Sequence, residues 1–231
     1  MQLKRLSGVN LQVQDPAALA GFYTKHMGMS ALRENQAWRV GYKGEDADLI
    51  LLPGGRPYKH DRNQSYWKIG ITLPDLDMAV AGLRRSGVEV SEPRQFLDIG
   101  YMAHLTDPEG FVIELLQWDF EGNRPEGVGD PIKPLGGRAR VGQITLRTGN
   151  IDAEKALHRG MTCLSVQDVS AHGFDLHFLA FTDETPPDPD LTAVGNREWL
   201  WRRPYTTLEF QNVAGQRFAE TPAFLGLEIT G

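Results

Sequence analysis

Apolar and polar positions alternate in a short run, break at a turn, then recur at helical spacing, and this order repeats three times along the chain. In the first copy Val9, Leu11 and Val13 alternate with Gly8, Asn10 and Gln12, the signature of a strand buried on one side. Asp15 and Pro16 supply an N-cap and a first-turn proline. Leu19, Phe22, Tyr23 and Met27 follow at helical spacing, and Gly28 suits a left-handed stop. Strands are predicted next over 29–34, 37–42 and 49–52. The second copy has an alternating strand over 67–73, Asp75 as cap, and a helix face of Leu76, Val80 and Leu83 ending at Gly87. Strands over 88–91, 100–106 and 111–116 complete it, with Asp107-Pro108-Glu109-Gly110 as the hairpin turn. The third copy runs from a strand at 140–148 through a helix at 153–158 to strands at 161–166, 174–181 and 205–211. Its insertion over 182–203, rich in Pro and Asp, is expected at the surface with a helical turn near 198–201. Residues 224–230 read as one more strand.

A βαβββ unit covers one sheet face with its helix and leaves the other face open, so it cannot close a core alone. The expected fold class is therefore α+β: three βαβββ units and a C-terminal strand, forming curved mixed sheets that enclose a cavity, with helices outside. On each first strand, residues out of phase with the apolar ones point into that cavity. Units at 1–55 and 65–118 are expected to form one lobe, 119–138 a linker, and 139–231 the third unit with the final strand. If the two consecutive units pair, the third needs another chain across a two-fold axis, and a homodimer is expected. Pairing of the third unit with the second is the alternative, and the sequence does not choose.

Composition acts mainly by exclusion. No apolar run in the 231 residues approaches the ~18 needed for a membrane span, and the start lacks a signal peptide's apolar core, so a cytoplasmic protein is expected. A single Cys163 excludes an intrachain disulfide and a zinc finger; on a strand between Thr162 and Leu164 it reads as a buried small residue. A net charge of −6 argues against a nucleic-acid partner, whose phosphates demand clustered Lys and Arg. Neither a GxxxxGK loop nor a GxSxG elbow is present. A small-molecule substrate or ligand is the expected partner.

The second copy, KIGITLPDLDMAVAGLRRSGVEV followed by AHLTDPEGFVIELLQ, resembles the C-terminal half of glyoxalase I. The third, VGQITLRTGNIDAEKALHRGM followed by FDLHFLAFTDE and RRPYTTLEFQ, resembles its N-terminal half, and FLGLEIT resembles the opening strand of a further unit. The chain thus resembles the vicinal oxygen chelate superfamily of glyoxalase, bleomycin-resistance and extradiol-dioxygenase proteins. The resemblance implies a metal site taking one ligand from the first strand and one from the last strand of each unit in a pair. Those positions are Gln143 and Glu209 in the third copy. In the second they are Glu114 and Lys68, the latter where the family has His. In the first they are Gly8 and about Ile50, neither able to bind a metal.

Two functions of different classes follow from this resemblance. One is a glyoxalase-like (lactoylglutathione-lyase-like) lyase or isomerase acting on a small organic substrate through two vicinal oxygens. Gln143, Glu209 and Glu114 would hold a divalent ion (Zn, Ni, Mn or Fe), with Glu209 and Glu114 moving the proton. The other is a metal-free binding protein of the bleomycin-resistance type, sequestering an aromatic or amphipathic compound. The Gln143/Glu209 pair favours the first, which is the expected function, with the second as the alternative. Lys68 favours the second, because an ammonium beside Glu114 makes an internal ion pair in place of the cation. Lys68, Arg147, His177, Trp201 and Tyr205 are expected around the substrate. Extradiol cleavage wants two His and one Glu around iron, and none of His26, His60, His104, His158, His172 and His177 falls on a family ligand position, which disfavours it. Without the resemblance, a strand glutamate reads as solvated or ion-paired.

Overall fold

In the computed structural model, which describes residues 4–231, each copy folds as a βαβββ unit. The first contains β1 (Arg5–Gln12), α1 (Pro16–Phe22) extended by a π turn over Tyr23–Met27, β2 (Ser30–Glu34), β3 (Ala37–Gly41) and β4 (Asp48–Leu52). The second contains β5 (Tyr66–Leu73), α2 (Leu76–Arg85), β6 (Arg94–Phe96), β7 (Gly100–Thr106) and β8 (Val112–Gln117). The third contains β9 (Arg140–Thr148), α3 (Ile151–Leu157), β10 (Thr162–Val169), β11 (Phe174–Ala180), α4 (Gly195–Trp201) within its insertion, and β12 (Thr207–Asn212). A final strand, β13 (Phe224–Thr230), follows. In every unit the last strand runs parallel to the first: β1 with β4, β5 with β8 and β9 with β12.

Local chemistry sets the helix starts. Asp15, Asp75 and Asn150 each stand just before a helix in extended backbone and accept hydrogen bonds from its first free N–H groups. Gly28 ends the π turn at φ 73°, a conformation that a side chain would strain. α2 buries Leu76, Ala79, Val80 and Leu83, the face its spacing predicted plus Ala79. The strand expected at 88–91 does not form. Arg84 reaches the carbonyls of Val90 and Ser91, Pro93 lacks an N–H for a ladder, and pairing begins only at Arg94.

Among the described residues the thirteen strands make two sheets, β13-β1-β4-β3-β2 and β10-β11-β12-β9-β5-β8-β7-β6. The expected lobe of units one and two is therefore corrected. Units two and three share the eight-stranded sheet through an antiparallel seam between β5 and β9, with Lys68 opposite Thr145 and Gly70 opposite Gln143. Unit one instead pairs with β13, Leu11 opposite Phe224 and Arg5 opposite Thr230. The third unit thus finds its partner within its own chain, and the reason for expecting a second protomer at that seam falls away. A continuous apolar core including Leu11, Tyr23, Leu49, Ile69, Leu83, Ile113, Ile144 and Phe210 joins all three units. A second apolar cluster, with Met102, Leu116, Leu176, Phe178 and Trp201, lies on the other face of the large sheet. Among the described residues no helix is long and apolar enough to cross a membrane.

Candidate functional site

Register across the large sheet lines up one row of polar side chains. Glu209 on β12 lies beside Thr145 on β9, Thr145 lies opposite Lys68 on β5, Gly70 on β5 lies beside Glu114 on β8, and Glu114 faces His104 on β7. Gln143, two residues before Thr145, shares that face because strand side chains repeat every second residue. The structure thus brings Gln143, Glu209, Glu114 and Lys68 into one place. Lys68 Nζ donates to Glu114 Oε1 and to Glu209 Oε2, each at 3.0 Å. Gln143 Nε2 donates to Glu114 Oε1 at 2.9 Å, His104 Nε2 lies 3.0 Å from Glu114 Oε2, and the Thr145 hydroxyl donates to Glu209 Oε2. Gly70 makes the seat for Gln143, since a Cβ there would stand 2.4 Å from the Gln143 Cδ.

The Lys68, Glu114 and Glu209 side chains are only 2%, 7% and 3% exposed, so electrostatics here act with little solvent screening. Burial pushes the Glu114 carboxyl up, but Lys68 and His104 outweigh it and hold it down at about 2. Burial, reinforced by the neighbouring Glu114, raises the Glu209 carboxyl, and Lys68 and Thr145 offset this only in part. Burial works against the Lys68 ammonium, yet the two carboxylates more than compensate and raise it. One ammonium shared by two glutamates is the resulting charge arrangement.

A divalent ion does not fit this donor set as it stands. The Lys68 nitrogen occupies the point 3.0 Å from both carboxylates, where an ion shared by them would sit, and a second cation would be repelled at contact range. Among the described residues, no three His, Cys, Asp or Glu side chains converge as metal ligands.

The polar row forms one end of a cavity of about 160 Å³ whose remaining walls are mostly apolar and aromatic, among them Phe96, Met102, Leu116, Phe174, Leu176, Phe178, Trp67 and Trp201. Trp67 reaches the same cavity as its neighbour Lys68 because the β5–β9 register shifts between Tyr66 and Lys68. Its ring lies 4.7 Å from Lys68 Nζ. Trp201, on α4, donates its indole N–H to the Ile99 carbonyl at 3.2 Å and closes a wall. Trp67 and Phe174 also line an adjoining open groove of about 700 Å³ with His60, Arg62, His172 and Arg147.

Arg147 therefore sits in the groove rather than at the Lys68 cluster. Its hydrogen bonds go to neutral groups: Gln211 Oε1, the carbonyls of Asp61 and Gln64, and His60 Nε2. Its guanidinium also lies 4.9 Å from the Trp67 ring centre. Burial pushes its pKa down to about 10.

Two expected positions are corrected. His177 does not line the cavity: it pairs with Phe210 across β11 and β12, on the sheet face opposite Glu209, and binds Asp175 at 2.6 Å. Tyr205 lies outside, its hydroxyl donating to Glu184 at 2.7 Å. The β11 residues that do line the cavity, Phe174, Leu176 and Phe178, are its alternate positions, a stripe visible in FDLHFLA. Arg94 and His104 also line it: His104 lies on a strand whose pattern allows it to face a pocket, whereas no motif marks Arg94.

Residues 5–115 match the family model "Glyoxalase/Bleomycin resistance protein/Dioxygenase superfamily". Among solved structures, glyoxalase I from Zea mays aligns over 98% of this chain and 74% of its own, at 18% identity and a TM-score of 0.69. A single-residue mutant of the same maize enzyme aligns with a TM-score of 0.71 at 19% identity, over 98% and 74% of the two chains. No curated protein matches the sequence. The fold likeness reaches beyond the matched segment to nearly the whole chain. Residues 5–115 are thus similar in sequence to the glyoxalase, bleomycin-resistance and dioxygenase superfamily, and the chain as a whole has the fold of glyoxalase I.

Proposed function

We propose that this protein binds a small organic acid without a metal ion, its ring-sized apolar part in the aromatic cavity and its acidic group in the adjoining groove. The observation that carries the reading is the Lys68 ammonium shared by Glu114 and Glu209 at the end of an otherwise apolar cavity. A cavity near 160 Å³ matches a single ring, since one of about 150 Å³ lined by apolar side chains takes up benzene. Arg147 supports the acidic end, because it is buried, hydrogen-bonded only to neutral groups and open to the groove that shares Trp67 with the cavity. A carboxylate there would give it the charged hydrogen-bond partner it lacks.

The glyoxalase-like metal-dependent lyase draws support from the convergence of Gln143, Glu114 and Glu209, and the family comparison extends that support to a divalent metal in general terms. Lys68 stands against it in this chain. The test combines elemental analysis with calorimetry of 3-phenylpropionate and its amide in EDTA. The expected result is no stoichiometric Zn, Ni, Mn or Fe, binding of the acid in EDTA, and a loss of about tenfold or more in Arg147→Met or on replacing acid by amide. Stoichiometric metal that binding requires, or equal affinity for acid and amide, overturns the reading.

A further inference from the structure

Gln143 uses only half of its amide. Its Nε2 donates to Glu114 Oε1 at 2.9 Å, and because an ionised carboxylate accepts but does not donate, that bond fixes which way the amide points. The oxygen Oε1 is left buried and without a hydrogen-bond partner, on a residue 2% exposed that lines the cavity. The amide lies against the bare backbone of Gly70. Glu114 uses both of its oxygens on Lys68, Gln143 and His104, and the Thr145 hydroxyl donates to Glu209, so neither supplies a donor to Oε1. A buried acceptor without a partner carries a free-energy cost, which a ligand donor removes on binding.

We infer that Gln143 Oε1 receives a hydroxyl or N–H donor of the bound molecule, so that the cavity selects a ring compound bearing a hydrogen-bond donor over the bare hydrocarbon. This rests on the small-molecule reading above and narrows it to phenols, aromatic amides and ring N–H compounds. The donor lies at the Lys68 end, and the ring lies between Leu176, Phe178 and Trp201. The groove and Arg147 take no part in this discrimination, so it is separable from recognition of the acidic group.

The experiment is calorimetric titration, in EDTA, of toluene, 4-fluorotoluene and p-cresol into the wild-type protein and Gln143→Met. The fluoro compound matches the size of cresol and donates nothing. Wild type is expected to bind p-cresol about tenfold more tightly than either of the others, and Gln143→Met to bind all three alike. Equal affinity of wild type for the three, or a cresol preference that survives in Gln143→Met, overturns the assignment. The wild-type comparison decides alone if the variant does not fold. If neither the acid of the preceding test nor any of the three binds, the small-molecule reading fails and the assignment falls with it. If the acid of the preceding test binds while cresol has no advantage, only the assignment fails.

Discussion

Replacing Lys68 by Met keeps the length and apolar stem of the side chain and removes only the ammonium. Two carboxylates, each more than nine-tenths buried, then face one another with their shared cation gone. Breaking a buried ion pair by deleting one partner costs about 3–5 kcal/mol, because the remaining charge is left uncompensated. Proton uptake limits the loss. Burial already raises the Glu209 carboxyl with Lys68 beside it, and without the ammonium it rises further above its unfolded value. A carboxyl raised in the folded state gives stability that is present at low pH and is lost as pH rises through the raised value. The deficit of Lys68→Met should therefore be largest near pH 8 and shrink toward pH 5. Urea unfolding followed by fluorescence of the five tryptophans measures it, and with a urea slope of roughly 3 kcal/mol/M the midpoint at pH 8 falls by about 1–2 M. A change under about 1 kcal/mol at pH 8, or a deficit that grows as pH falls, refutes the ion-pair account.

Other outcomes follow from single contacts. Asp107 accepts the Tyr23 hydroxyl at 2.8 Å and the N–H groups of Glu109 and Phe111, yet burial raises its carboxyl to about 6. The folded state then holds a proton between pH 4 and 6 that the unfolded chain releases, so this group lowers stability by up to about 3 kcal/mol as pH rises through that window. Asp107→Asn, whose oxygen can keep the two N–H bonds while its NH2 donates to the Tyr23 oxygen, should flatten that part of the curve measured by thermal unfolding; an unchanged slope counts against the raised carboxyl. Gly70→Ala forces Gln143 from its seat, and should cost about 1–3 kcal/mol and abolish any preference for p-cresol over toluene. In wild type, raised Lys68 contributes stability that is complete below its ordinary value and declines as pH rises beyond it, so alkaline unfolding should come earlier in Glu209→Gln than in wild type.

The repeat was legible because each unit repeats the same local grammar, alternation and an Asp or Asn cap, with a buried apolar helix face in the first two, whereas α3 buries no residue. β7, β9 and β13 begin and end as their patterns predict over 100–106, 140–148 and 224–230. Pairing of units was not legible, since the open face of every unit is equally in need of cover and alternation does not name its partner. The contact between Lys68 and Glu114 follows from adjacent parallel strands within one unit, whereas Glu209 joins them only through the β5–β9 seam. Trp67 escaped notice because a register shift sets it beside Lys68 against the simple two-residue period. His177 has the right chemistry at the wrong place, on the reverse of its strand, whereas Arg147, two residues along β9 from Thr145, faces the adjoining groove instead of the glutamates.

A cation delivered as part of the polypeptide has a consequence for readiness. Lys68 arrives at its two glutamates the moment β5, β8 and β12 come together, so on the proposed metal-free function no loading step separates folding from ligand binding. Scarcity of trace elements, or their mismatched incorporation, does not divide such a population into filled and empty molecules. Every folded copy holds the same charge at the same spot.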